Sequence, residues 1–275
     1  MWFTGKLKTD ALTLRNGIFY GCTAEVSYAD EVHDRLFELE DNSFWFKHRN
    51  RVIKAVIDSM PPKDNRIIEL GGGNGNMAHY LIQHGYKTAM IEPGEHGCKN
   101  AARRGLKNIV CGFMNTNTVQ ENSVEAVGLF DVLEHIEDDA VFLKNLRELL
   151  IEDGFLYMTV PAHQYLWSES DKCGHFRRYE LPELREKVKT AGYAVDFVSY
   201  FFWFMPFPIF LLRALPYRAC AASRRKQAII NQGEFVLPNW LDRLARIVLG
   251  LEIDLIAKAK SICFGASIIL VARKI

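Results

Sequence analysis

From residue 66 to residue 200 the chain repeats one theme, a short apolar run followed by a polar turn and a stretch with helical spacing. The runs fall at 66–70, 87–91, 108–111, 124–130, 155–160 and 194–200, and the helical stretches near 76–83, 96–104, 139–150 and 182–191. Strand-length runs alternating with helices specify parallel strands joined by right-handed crossovers, an α/β doubly wound sheet with its ligand crevice at the carboxyl ends of the strands. In the 139–150 stretch Phe142, Leu146, Leu149 and Leu150 share one face, with Asp138 in the cap position. Gly154 then turns the chain into 155–160, which Pro161 stops. With 275 residues, 49% of them apolar, one elaborated domain can bury such a sheet.

The first turn of this pattern carries the chemistry. Arg66-Ile67-Ile68-Glu69-Leu70-Gly71-Gly72-Gly73-Asn74-Gly75 runs through an acid into glycines, and Glu92 ends the next run. Glycines at a strand's carboxyl end let backbone approach a ligand, and an acid ending the next strand accepts from ribose hydroxyls, so a nucleoside cofactor is expected. Gly73 to Ala78 also satisfies G-x-G-x-x-A, which keeps an NAD(P)-dependent oxidoreductase open as the alternative. Two features favour a cationic ligand. Glu69 directly precedes the glycines, where it would repel a pyrophosphate, and Phe130-Asp131-Val132-Leu133-Glu134-His135-Ile136 follows the fourth run.

These motifs, in this order, resemble the class I S-adenosylmethionine-dependent methyltransferases, in their ubiquinone-biosynthesis-type (methyltransferase type 11-12) branch, over roughly residues 65 to 198. The resemblance implies a Rossmann-like seven-stranded methyltransferase sheet, with a last, antiparallel strand at 266–272. It implies an enzyme using S-adenosyl-L-methionine, leaving S-adenosyl-L-homocysteine. Backbone at Gly71, Gly72, Gly73, Asn74 and Gly75 would hold the methionine part, Glu92 and Pro93 the ribose side, Phe130 and Asp131 the far side, and Glu69 would face the amino group or a water. The acid that usually follows a glycine to bind the adenine amino group is absent, because Phe113 follows Gly112. Asn115 and Asn117 are the nearest polar substitutes, with stacking as the other option.

The chain divides into an N-terminal helical extension (1–62), the cofactor-binding core (63–200), an apolar then basic helical insertion (201–261) and the final strand (262–275). The extension is expected to hold a helix over 30–60, ended by Pro61-Pro62. Trp45 and Arg49, among interleaved aromatics and bases, are candidates to close over a cofactor carboxylate or an anionic substrate; an aromatic core with a solvated basic edge is the alternative. The loop 161–179 is dense in polar and aromatic groups where an acceptor should bind. His163 and His175 there, and His135 just beyond the fourth run, are candidate general bases, or for His135 a group that fixes the loop. Trp167 and Tyr179 offer ring faces, while Arg177 and Arg178 offer forked donors to an anion or form a solvated turn. No metal site is expected, since His163, Asp171 and His175 lack a ligand spacing.

The insertion opens with the aromatic run 200–212 and turns basic at Arg213, Arg218, Arg224, Arg225 and Lys226. That order suits peripheral contact with a membrane through 200–226; a lid over the site or a homo-oligomer contact would bury the same rings. A second amphipathic stretch, 240–256, places Leu241, Leu244, Ile247, Val248 and Leu251 at helical spacing and reads as packing. No stretch reaches the roughly 18 apolar residues of a spanning helix, and no signal-peptide pattern opens the chain. Six cysteines scattered without C-x-x-C pairs fit a reducing, cytoplasmic setting, with or without membrane association. A net charge of +1 gives no overall basic field for nucleic acid. The expected partner is a small or lipid-linked acceptor, anionic in character, methylated on oxygen or nitrogen. A non-catalytic cofactor-binding subunit of the same fold is a further alternative.

Overall fold

A computed structural model describes residues 2–21, 30–172, 174–219 and 239–275. In chain order its strands are β1 (Thr13–Arg15), β2 (Ile18–Tyr20), β3 (Arg66–Leu70), β4 (Lys87–Glu92), β5 (Ile109–Cys111), β6 (Val124–Phe130), β7 (Leu150–Pro161), β8 (Tyr193–Phe201) and β9 (Ser267–Lys274). The helices are α1 (Asp30–Asn42), α2 (Phe44–Ser59), α3 (Asn76–Gln83), α4 (Glu95–Arg103), α5 (Asp139–Leu149), α6 (Leu181–Thr190), α7 (Pro206–Ile209), α8 (Leu215–Ala219) and α9 (Asn239–Ala257), with a π-helical turn, Phe210–Ala214, joining α7 to α8. All nine strands form one sheet in the order β1-β2-β5-β4-β3-β6-β7-β9-β8. The strands from β2 to β7 pair in parallel, and β9 runs antiparallel between β7 and β8, as expected of the last strand.

Because β3 pairs with both β4 and β6, the order of the sheet reverses there, and the crevice at such a switch point receives ligands. The central strands are buried on both faces, which is why they read as unbroken apolar runs. In β3, Ile67 packs with Val52, Ile53 and Leu81 on one side, while Ile68 and Leu70 join Leu143, Leu146 and Leu156 on the other.

Several expectations are corrected. The sheet has nine strands rather than seven, because a hairpin, β1–β2, docks on β5 with Ile18 opposite Ile109, so the 1–62 segment is not wholly helical. Its turn is Asn16-Gly17, both left-handed (φ 49 and 82), the conformation whose twist matches paired strands. The single helix expected over 30–60 is two helices, broken at Ser43, which is extended and accepts from Trp45 N at 3.2 Å to cap α2. Strand β7 begins at Leu150 rather than 155, since an irregularity between Val124 and Ala126 lets Val124 pair with Leu150 and Ala126 with Phe155.

The insertion's basic run at Arg224, Arg225 and Lys226 lies outside the described residues, as do the side chains of Leu241 and Leu244. Helix α9 packs on α2, but not through the stripe expected. Ala245, Leu249 and Ile256 are buried with Val52, Ile53 and Val56, whereas Ile247 and Leu251 face outward. Glu252, on the buried face, accepts from Phe202 N (2.9 Å), Trp203 N (3.1 Å) and the His48 ring. Phe202 holds a left-handed backbone (φ 59), a conformation that costs about 1–3 kcal/mol for a non-glycine residue. The Glu252 hydrogen bond and a stack on Trp45 at 3.8 Å fix it there. No helix among the described residues is long and apolar enough to cross a membrane.

Candidate functional site

The turn after β3 is built by backbone hydrogen bonds and one carboxylate. Gly71 N donates to Ile91 O at 2.8 Å, and Glu92, at the end of β4, accepts from Gly73 N at 2.9 Å and from Gly94 N at 2.8 Å. Gly73 is left-handed (φ 53) and an added Cβ would meet nothing within 4 Å, so this stretch of backbone borders open space. Gly97, on α4, escaped the sequence reading. A Cβ there would sit 2.6 Å from Gly73 O, so α4 can lie against the turn only as glycine, and a glycine inside a helical stretch was the available signal.

Asn74 also supports the turn through its side chain. It is 1% exposed, its amide donates to Glu40 (3.2 Å) and accepts from Asn100 (3.1 Å), and Arg104 bridges its carbonyl to Glu40. The side chain therefore clamps α1 and α4 to the glycine turn and is spent on that task. Burial pushes the Glu40 carboxyl up to about 7, opposed by Arg104. Asn115 is likewise absorbed by its own turn, accepting from Asn117 N at 2.9 Å, while the neighbouring Phe113 ring is exposed.

Glu69 is buried beneath the glycines, and its Oε2 has no hydrogen-bond partner among the described residues. Burial lifts its carboxyl to about 8, with Arg49 opposing the rise. The folded state thus keeps a proton on Glu69 up to about pH 8 that the unfolded chain releases near its ordinary 4.5. Stability of the ligand-free protein should therefore fall as pH rises through that window, by up to about 1.4 kcal/mol per unit from this group. Urea unfolding of the wild type and Glu69→Gln at pH 6 and pH 8 checks this. The variant should lose less on going to pH 8, and equal losses would refute the assignment.

Across the switch point, Asp131 follows β6 in a left-handed conformation (φ 56). Its carboxylate accepts from Thr159 Oγ1 at 3.0 Å and lies 2.6 Å from Arg49 Nε in an ion pair not aligned as a hydrogen bond, while Arg49 donates to Phe130 O at 3.0 Å. Arg49 reaches this edge from α2, so the structure brings Glu69, Glu92, Asp131 and Arg49 to one end of the sheet.

On the loop side, His163 stands two residues past the β7–β9 pairing in a left-handed backbone (φ 62). Its Nδ1 meets Glu180 Oε2 at 2.9 Å, its ring stacks between Tyr165 and Tyr200, and Nε2 is buried without a hydrogen-bond partner among the described residues. His135 and His175 meet edge to face at 4.6 Å. Burial and the neighbouring His175 depress the His135 ring to about 4.

The two arginines are not free to grip an anion. Arg178 donates to both oxygens of buried Asp171 (2.8 and 3.2 Å) and to Ala162 O. Arg177 pairs with Asp139 at 2.6 Å and donates to Glu137 O. Tyr179 is fully buried with its hydroxyl on Asp139 at 2.7 Å, and Trp45 is stacked on Phe202. These side chains hold the loop and helices in place: Asp171 and Asp139 take up the donors of the arginines and of Tyr179, and Phe202 covers the Trp45 ring. Trp167 is half-buried at the end of a one-turn helix, Gln164–Leu166.

Residues 45–197 match a family described as a methyltransferase domain. A Mycolicibacterium smegmatis protein named a probable S-adenosylmethionine-dependent methyltransferase is 24% identical over 162 residues, covering 58% of this chain and 62% of its own. The chain therefore spans less than two thirds of that relative's length. Among solved structures, the methyltransferase in complex with the Haloferax volcanii Trm112 methyltransferase activator aligns over 89% of this chain and 94% of its own, with TM-score 0.54 and 15% identity. Haemonchus contortus phosphoethanolamine N-methyltransferase 2, in complex with S-adenosyl-L-methionine, aligns over 91% of this chain and 58% of its own, with TM-score 0.53 and 16% identity. At these identities the structural likeness establishes the fold.

Proposed function

The chain belongs to the methyltransferase-domain family, and from that premise we propose that it is a class I S-adenosylmethionine-dependent methyltransferase, methylating an oxygen or nitrogen of a small or lipid-linked acceptor bound beside His163. The residues suit the donor. The buried Oε2 of Glu69, without a partner among the described residues, can take a hydrogen bond from an ammonium group, the open flank of Gly73 admits a ligand against backbone, and Glu92 ends β4 beside it with a carboxylate, a group that can accept from hydroxyls. S-adenosylmethionine supplies an electrophilic methyl group on a cationic sulfonium. Arg49 brings a guanidinium to this acidic edge, suited to the donor's carboxylate. The lone Asp131–Thr159–Arg49 arrangement then fixes the far wall of the donor site.

One observation carries the acceptor side: a histidine oriented by a carboxylate, with a buried nitrogen that has no partner among the described residues, on a strained backbone at the carboxyl edge of the sheet. Strained residues persist where the surrounding structure over-determines them, and such sites are often functional. With Nδ1–H held on Glu180, Nε2 is the atom that takes the proton from an acceptor O–H or N–H as the new bond to carbon forms. The remaining demand is alignment of the reactants, which the loop 161–179 supplies.

The lipid-linked reading rests on the insertion. Residues 200–233 carry five bases and no acid, and Phe207, Leu211, Leu212 and Leu215 stand exposed on α7–α8, a combination suited to an anionic interface. Anionic character in the acceptor is met from here rather than from Arg177 and Arg178. Leu212→Glu should reduce co-sedimentation with phosphatidylserine vesicles, and equal binding by wild type and variant would remove this reading.

The deciding measurement for the whole proposal is calorimetry with S-adenosylhomocysteine and with NADH, followed by mass-spectrometric capture of the acceptor. Binding of the first without the second is expected, and the reverse would install an oxidoreductase instead. His163→Ala should lower kcat about 100-fold with S-adenosylhomocysteine affinity unchanged; an unchanged kcat would exclude it as the base.

A further inference from the structure

The turn after β6 and the loop 161–179 bring Glu134, His135 and His175 together, with one carboxylate oxygen and one ring nitrogen from each histidine all within 4.8 Å of one another. Glu134 is 1% exposed and its Oε2 has no hydrogen-bond partner among the described residues. A buried carboxylate left unsatisfied is costly, so a cation or donor is called for at that point.

The histidines are held in the manner of ligands. His175 sets Nδ1 on Asp171 Oδ1 at 3.0 Å and turns Nε2 toward Glu134 Oε1, 4.0 Å away. His135 sets Nδ1 on Gly174 O at 3.1 Å. A ring whose Nδ1–H donates to an oxygen carries its lone pair on Nε2, and metal-binding histidines are commonly fixed by such a carboxylate or carbonyl. Asp171 is in turn immobilised by both forks of Arg178 and by the amide and hydroxyl of Ser168. The outer ring of contacts is therefore rigid, and both histidines are only half-buried, which leaves an open side.

We propose that Glu134, His135 and His175 form a three-ligand site for a divalent metal ion of the zinc class. Two imidazoles and one carboxylate suit zinc and its neighbours, whereas magnesium and calcium favour oxygen throughout. Ligand bonds of about 2.1 Å in tetrahedral geometry place donor atoms roughly 3.4 Å apart, so small side-chain rotations close the 4.0 Å gap. Three protein ligands leave a fourth position for water or an oxygen of the acceptor. The acceptor part of this inference rests on the methyltransferase reading; the metal part does not.

The test uses the full chain, stripped by chelator, titrated with Zn²⁺ in a calorimeter and with Co²⁺ under visible spectroscopy. One ion per chain with Kd near or below about 1 μM is expected, with cobalt bands lacking thiolate charge transfer. His135→Ala and His175→Ala should each weaken binding about 100-fold or more, while His84→Ala, outside the cluster, should not. Substoichiometric binding, a thiolate spectrum, or equal affinity in the histidine variants would overturn the proposal. Should the variants fail to fold, the wild-type stoichiometry and cobalt spectrum decide alone. S-adenosylhomocysteine binding, measured on the stripped protein, separates failure of the metal site from failure of the methyltransferase reading.

Discussion

Glu92→Ala should lower the affinity for S-adenosylhomocysteine about 100- to 1000-fold, the largest effect expected of any single change at the donor site. The Glu92 carboxylate accepts from Gly73 N and Gly94 N, and hydrogen bonds to a charged group are each worth about 1.5–3 kcal/mol. Alanine removes the two hydrogen bonds that the carboxylate can accept from ribose hydroxyls, which sets the loss of affinity, and unfastens the glycine turn besides. A loss of about 3–4 kcal/mol corresponds to two to three decades in affinity. Calorimetry on wild type, Glu92→Ala and Glu92→Gln measures it, with thermal unfolding as a control for folding. The glutamine, which keeps one acceptor oxygen, should fall between the other two. An alanine variant within threefold of wild type would mean that the donor binds elsewhere.

Asp171→Ala should cost about 3–5 kcal/mol of stability, the expected range when one partner of a buried ion pair is deleted and the other is left behind. Asp171 is 1% exposed, and both its oxygens are engaged by Arg178, with His175 and Ser168 sharing them. Without it the Arg178 guanidinium keeps only Ala162 O among these contacts. Urea unfolding gives the loss directly. Affinity for S-adenosylhomocysteine should stay within about threefold, because the loop 161–179 does not contribute to the glycine turn. A stability change below about 1 kcal/mol would show that Arg178 finds another anion and that the loop is not built on this pair.

Much of this arrangement was legible in the sequence where neighbours along the chain determine the outcome. Strand-length apolar runs, the glycines after β3 and the acid ending β4 located the switch point, since a parallel sheet brings consecutive strand ends to one edge. The hairpin β1–β2 was missed: Asn16-Gly17 between short apolar runs was the available signal, but its strands of three residues are too brief to show alternation. Pairings remote in sequence were not readable. Asp139 is remote from Arg177, and Asp171, though only seven residues before Arg178, lies in a loop with no regular periodicity to announce the pairing, so two apparent anion grips became ties that hold the loop. The support that the Asn74 side chain gives the turn was hidden for the same reason, because Glu40 and Arg104 reach it only after α1 and α4 have docked. His135 and His175, forty residues apart, meet only because the loop folds back over the end of β6.

The contact between Glu252 and the β8 exit has a bearing on modularity. Glu252 joins α9 to the backbone at Phe202 and Trp203 and to His48, and His48 immediately precedes Arg49. Removing the insertion to obtain a minimal catalytic core would therefore strip a carboxylate from a buried histidine and two backbone amides, and release the helix that delivers Arg49 to the donor site. What looks in sequence like an accessory spliced in before the last strand is in space a keystone, and a truncated chain would lose its grip on the donor along with its appendage.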